Sequence, residues 1–183
     1  MIIEPLRLKG ACLIKHEYNA DSRGGFGRLF CVDTMKDFGL EYKIVQVNHS
    51  ITKQLGCVRG LHFQKPPKAE VKIVKCIKGA VYDVIVDLRK ESPTFMEYTA
   101  VELISSKLQM LYIPKGFAHG YQVLEENSEL VYFHTEFYSP KNESAIHYLD
   151  PLINIPWPLE ISEVSLKDQE HKFLNNDFKG IQL

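Results

Sequence analysis

Ile113-Pro114-Lys115-Gly116-Phe117-Ala118-His119-Gly120 joins the end of an apolar run to a tight turn and a histidine. The apolar run just before it, residues 108–113, has strand composition, and Pro114-Lys115-Gly116 has the chemistry of a turn. Proline pre-sets φ there, and glycine supplies the backbone freedom that a reversal needs. Working outward, short β-rich runs recur at residues 42–47, 71–77, 80–88, 98–103 and 130–137. They are punctuated by Gly24-Gly25, Pro66-Pro67, Lys78-Gly79, Ser92-Pro93-Thr94 and Glu126-Asn127. Many short strands at this spacing predict an all-β sandwich or barrel. Only residues 34–40 and the tail after Trp157 read as helical or irregular. Neither a long linker nor an internal repeat divides the chain, so one domain spanning residues 1–183 is expected.

Composition narrows the function classes. The 183 residues are 45% hydrophobic and 25% charged, with a formal net charge of -1. That balance is poor for a protein that grips duplex nucleic acid by counterion release, so no nucleic-acid partner is expected. The opening MIIEPLRLKG has neither the apolar core of a signal peptide nor that of an anchor. No later segment has the length of apolar chain that a spanning helix requires, so the expected setting is cytoplasmic, without a membrane partner. Cys12, Cys31, Cys57 and Cys76 are widely spaced and read as reduced thiols, mostly in the core.

Several predicted strands alternate polar with apolar residues: Lys72 and Lys75 flank Val74, Asp83 follows Tyr82, and His134 and Glu136 follow Tyr132. One sheet face therefore has the residues for chemistry, although a solvated face would alternate in the same way. The densest signal is Arg59-Gly60-Leu61-His62-Phe63-Gln64. Read as an extended segment, it is expected to set a guanidinium, an imidazole and an amide on one side. The guanidinium suits a diphosphate, and the imidazole titrates where a general base must work.

The Pro-x-Gly-x-x-His spacing from Pro114 to His119 resembles the second signature stretch of cupins, small β-sandwich barrels. In metal-binding cupins that histidine is a ligand beside a His-x-His pair. Here the matching place is His62-Phe63-Gln64, and Glu70 falls beyond the usual spacing, so three good ligands cannot be counted and no metal is expected.

Taken in order, Asp21-Ser22-Arg23-Gly24, Gln46-Val47-Asn48-His49-Ser50, the segment Arg59 to Gln64, Gly116-Phe117-Ala118-His119-Gly120, and Asp150-Pro151 before Ile155-Pro156-Trp157-Pro158 resemble the dTDP-4-dehydrorhamnose 3,5-epimerase family across nearly the whole chain. The resemblance implies a cupin-like double-stranded β-helix, a jelly-roll sandwich with a few short helices. It also implies an isomerase that needs no cofactor and acts on a nucleotide-diphosphate sugar in lipopolysaccharide or other surface-polysaccharide synthesis. A ketone at C4 acidifies the hydrogens on C3 and C5; a base removes one as an enolate forms, and an acid across the ring returns a proton.

By the same resemblance His62 is the base, oriented by Asp168, Tyr132 is the opposing acid, and Lys72 stands near the C4 oxygen. Arg23 and Arg59 match diphosphate contacts, Gln46 and Asn48 line the pocket, and Phe26 and Tyr138 pack on base or sugar. His119, near Asp83, supports the site. The segment with Arg23 and Phe26 reaches into a partner subunit in this family, which implies a homodimer with shared sites. One position departs: the family's usual glutamate after Arg-Gly-Phe-Phe is replaced in Arg23-Gly24-Gly25-Phe26-Gly27-Arg28 by Arg28, at the nucleotide end of the site. CDP- and GDP-linked sugars therefore stand beside dTDP as alternatives, as do inversion at C3 alone or C5 alone and a non-catalytic sugar-nucleotide-binding cupin.

Overall fold

In the computed structural model, which describes residues 1–183, almost all regular structure is antiparallel β. The strands are β1 (Ile2–Pro5), β2 (Cys12–Lys15), β3 (Asn19–Asp21), β4 (Gly24–Phe26), β5 (Gln46–Thr52), β6 (Val58–Gln64), β7 (Lys72–Lys78), β8 (Ala80–Asp87), β9 (Tyr98–Ile104), β10 (Gln109–Ile113), β11 (Phe117–Val123), β12 (Ser128–His134) and β13 (Glu143–Ala145). Two short helices, α1 (Val32–Asp37) and α2 (Leu166–Gln169), complete the chain. One sheet has the order β1-β2-β10-β7-β12-β5 and the other β13-β6-β11-β8-β9, while β3 and β4 form a separate hairpin.

The period-2 alternation of each strand explains the sandwich. Val74 and Cys76 of β7, Leu111 and Ile113 of β10, and Leu130 of β12 meet Val81 and Ile85 of β8, Leu103 of β9, and Phe117, Tyr121 and Val123 of β11 in one buried cluster between the sheets. Intervening residues of β8 and β11 point the other way. There Leu61, Phe63, Val84, Val86, Leu88 and Ala118 are covered by Trp157, Leu174, Phe178 and Ile181 of the C-terminal tail. Burial on both faces explains why residues 80–88 read as an almost unbroken apolar run. The outer face of the larger sheet is closed by Met35 of α1 together with Phe30, Leu40, Tyr42 and Ile44.

The predicted strand at residues 42–47 is displaced: β5 begins at Gln46, and Tyr42 and Ile44 belong to the packing layer over the larger sheet. Their apolar character reflects burial without ladder pairing. The tail after Trp157 is irregular except for α2. All four cysteines are free thiols; burial pushes Cys12 up to about 12 and Cys76 up to about 11.

β6 carries the main departure from simple alternation. The expected placement of Arg59 and His62 on one side does not follow from extension alone, because residues three positions apart face opposite sides of a regular strand. Here β6 pairs with β11 through His119↔His62 and Tyr121↔Arg59, and the register shifts between them. The extra residue turns Arg59 back to the side of His62. Gly60 and Gly120 allow the close approach: a Cβ on Gly60, at φ +120, would lie 2.5 Å from Gly120 Cα. A Cβ on Gly120 would lie 2.6 Å from the Arg59 carbonyl oxygen.

Candidate active site

At one end of the sandwich the inward positions change from apolar to polar, and three adjoining cavities of about 550, 470 and 120 Å³ meet there. His62 is the one side chain common to all three. The smaller sheet contributes His62 from β6 and His119 from β11; the larger sheet contributes Asn48 and Ser50 from β5, Lys72 from β7, and Tyr132 and His134 from β12. His62 and Tyr132 thus stand on opposite walls.

His62 Nε2 lies 2.7 Å from Asp168 Oδ1, and the other carboxylate oxygen accepts from the Gly60 N–H at 3.2 Å. Asp168 is only 3% exposed. Burial pushes its carboxyl up, but the hydrogen bond and charge of His62, the Gly60 N–H and His171 outweigh that, leaving it below the ordinary value. An ionised Asp168 accepts from Nε2–H, which leaves His62 Nδ1 as the nitrogen free to take a proton. The α2 helix holds this carboxylate in place: Ser165 caps it, its hydroxyl accepting from the Asp168 N–H at 3.1 Å.

On the facing wall the Tyr132 hydroxyl shares a hydrogen bond of 3.1 Å with Ser50 Oγ. Ser50 Oγ lies 3.3 Å from the Tyr121 hydroxyl, itself 2.9 Å from Thr52 Oγ1. Burial, reinforced by the Tyr121 hydroxyl, pushes the Tyr132 phenol well above its usual value, so it stays protonated. Its ring stacks on His134 at 6.2 Å and meets the edge of His119 at 6.1 Å. His119 Nε2 is 2.8 Å from Asp83 Oδ1. Asp83 is fully buried, and that burial raises its carboxyl although His119 and Lys72 oppose the shift.

Lys72 Nζ donates to the His62 carbonyl oxygen at 3.3 Å and lies 3.5 Å from Glu70 Oε1. Glu70 Oε2 accepts from His134 Nδ1 at 2.8 Å, and Asn48 Nδ2 donates to His134 Nε2 at 3.3 Å. Gln46 Nε2 donates to Asn48 Oδ1 at 3.2 Å and accepts, through Oε1, from the Tyr138 N–H at 3.1 Å. Tyr138 lines the smallest cavity, its hydroxyl on Glu143. Arg59 lines both larger cavities, with Lys53 and Lys167 nearby in the second.

Three residues singled out in the sequence lie elsewhere. Arg23 is paired with Asp21 in the β3–β4 hairpin, Phe26 is 79% exposed, and Arg28 lies beside Cys31. None lines the cavities around His62. Glu70, His134, Ser50, Tyr121 and His171 are the neighbours that sequence reading left without a part in the site. Strand period marks Ser50 and His134, each two positions from a named residue, and helical spacing marks His171, three beyond Asp168.

A family model described as dTDP-4-dehydrorhamnose 3,5-epimerase matches residues 5–176. The enzyme of that name from Salmonella typhimurium is 39% identical over 170 residues, covering 92% of each chain. The crystal structure of the Elizabethkingia anophelis dTDP-4-dehydrorhamnose 3,5-epimerase superposes with a TM-score of 0.93 at 32% identity, covering 97% of this chain and 98% of that one. The Bacillus anthracis enzyme of the same name, solved with TDP and PPi bound, gives a TM-score of 0.91 at 36% identity, covering 94% and 99%. Sequence and fold agree, and the chain belongs to the dTDP-4-dehydrorhamnose 3,5-epimerase family.

Proposed function

We propose that this chain inverts C3 and C5 of a dTDP-linked 4-keto-6-deoxy sugar. The observation that carries the reading is a carboxylate-oriented imidazole on one wall facing a half-buried, protonated tyrosine on the other. His62 Nδ1 removes a proton beside the ketone, and the electron pair moves onto the C4 oxygen as an enolate. The Lys72 ammonium, on a largely buried side chain, stabilises that oxygen. Tyr132 returns a proton to the opposite face and is recharged through Ser50, Tyr121 and Thr52, whose hydroxyls form a continuous chain. His62, 35% exposed, passes its proton to solvent.

Arg59 is assigned to the diphosphate, Gln46, Asn48 and Tyr138 to the sugar nucleotide, and His119 with Asp83 to holding Tyr132. The thymidine nucleotide is favoured because each of the three relatives above is named for a dTDP sugar. Arg28 does not line the chain's own cavity around His62.

A homodimer belongs to the same reading, with Arg23, Phe26 and Arg28 completing the partner's site. Its support is the 79% exposure of Phe26 and the exposed apolar residues Val47 and Ile51 on β5, an edge strand of the larger sheet. The cytoplasm is the setting this reading assigns, supported by the free thiols. The sugar product would feed surface-polysaccharide synthesis.

Proton NMR in deuterium oxide with dTDP-, CDP- and GDP-4-keto-6-deoxy sugars tests the reading. Loss of both the C3 and C5 signals with the dTDP sugar is expected. Loss of one signal makes the enzyme a monoepimerase, exchange only with CDP or GDP substrates reassigns the nucleotide, and silence with all three refutes the epimerase reading.

A further inference from the structure

We propose that His62, Asp168 and His171 form a capture site for a divalent transition-metal ion of the zinc class, and that an ion bound there switches the catalytic base off. The inference rests on the assignment of His62 as base. One donor atom from each of His62, Asp168 and His171 lies within 4.8 Å of the other two. Two imidazole nitrogens and one carboxylate oxygen are the donors that zinc accepts, at bond lengths of about 2.0–2.2 Å, which set neighbouring donors roughly 3.3–3.5 Å apart in a tetrahedron.

The His171 Nε2 to Asp168 Oδ1 separation, 3.5 Å, already has that value. The His62 to Asp168 pair, at 2.7 Å, is held closer by the proton between them and must open by roughly 0.6–0.8 Å once an ion replaces it. A second observation points to a ligand here. His171 Nε2 is buried and makes no hydrogen bond, an unusual condition for a ring nitrogen beside a carboxylate. The neighbouring Lys167 ammonium is tied to Glu143 at 2.7 Å, so part of its charge is compensated. The 470 Å³ cavity lined by His62 and Asp168 gives an ion a route in.

The consequence follows from proton bookkeeping on one ring. Neutral imidazole carries a single N–H. With Asp168 as partner that hydrogen sits on Nε2, and Nδ1 has the lone pair that attacks the substrate proton. An ion bound at Nε2 needs a lone pair on Nε2, so the ring's single hydrogen must move to Nδ1, whose lone pair is then no longer available as base, while the charge of the ring is unchanged. The ion lies on the far side of the imidazole from the ketone, so substrate binding stays intact. Inhibition therefore lowers kcat and leaves KM unaltered.

The test uses the full-length protein stripped with a chelator, together with His171→Ala and His171→Gln. Wild type is expected to turn over without metal, to lose kcat at constant KM as Zn²⁺ is added, and to recover with EDTA. Co²⁺ should give the intense visible absorption of a tetrahedral nitrogen-oxygen site. With inhibition expressed relative to each protein's own metal-free turnover, both variants should lose the Co²⁺ band and need about 10–100 times more Zn²⁺ for the same fractional inhibition. Equal Zn²⁺ sensitivity of wild type and both variants, or no Co²⁺ band in wild type, would overturn the proposal. A Co²⁺ band in a protein that never turns over sugar would overturn the epimerase reading and leave the metal site standing.

Discussion

Three histidine–carboxylate pairs face one end of the sandwich, yet their surroundings separate their chemistry. His119 and His134 are held by Asp83 and Glu70 in nearly closed positions, whereas His62 is backed by Asp168 and 35% exposed. Only the last combines a fixed carboxylate with an open nitrogen. Asp168→Asn keeps the shape of that carboxylate and removes its charge. The expected result is a kcat lower by about 10²–10⁴ with KM little changed, read as deuterium uptake at C3 and C5. The carboxyl of Asp168 is held below its ordinary value, so its stabilisation is complete above about pH 4 and is lost as pH falls through the lower folded value. The gap in urea midpoint between wild type and Asp168→Asn should therefore be widest near neutrality and close below about pH 4. A gap that widens on acidification would contradict this assignment.

Two elements deliver His62 to Asp168. α2 is four residues long and could not persist by itself; its Ser165 cap and the contacts of the tail with the sheet hold it. Ser165→Ala should cost about 1 kcal/mol of stability and lower kcat several-fold at constant KM, because the side chain that stops fraying also anchors the helix turn bearing Asp168. Circular-dichroism melts and steady-state kinetics read the two effects separately. The irregular pairing of β6 with β11 is the other element. Gly120→Ala would set a methyl 2.6 Å from the Arg59 carbonyl oxygen and 2.6 Å from Leu61 Cδ2, where backbone cannot yield. A loss of about 1–3 kcal/mol and a lower Tm are expected, with a raised KM as Arg59 moves. An unchanged Tm would show that the strands can part without cost.

At the scale of the whole molecule, the β3–β4 hairpin stands apart from both sheets and holds Arg23 and Phe26 away from the chain's own cavity. If the hairpin serves a partner's site, an inactive His62→Ala chain and an inactive Arg23→Ala chain should complement each other. A statistical mixture makes half of the dimers mixed, each with one site free of both changes, so about a quarter of wild-type turnover should return. Refolding the two chains together and assaying C3 and C5 exchange measures it. No recovery, with mixed dimers present, would place Arg23 in its own subunit's site.

The residue order alone settled a β-rich chain, its turn positions and the separate motifs on which the family resemblance rests. Those are local properties, legible because strand period and turn chemistry act over a few neighbours. His62, Lys72 and Tyr132 are named through the family resemblance, with polar positions of predicted strands as the local signal beside it. Which groups meet was decided only by tertiary structure. Asp168 is 106 residues from His62 and reaches it because the apolar side chains of the tail must cover the outer face of the smaller sheet. Arg59 shares the side of His62 because β6 and β11 slip by one residue where two glycines touch. The pairing of Glu70 with both Lys72 and His134 depends on strands β7 and β12 lying side by side. Burial between two sheets is a property of the assembled sandwich, and it turns scattered polar residues into one site.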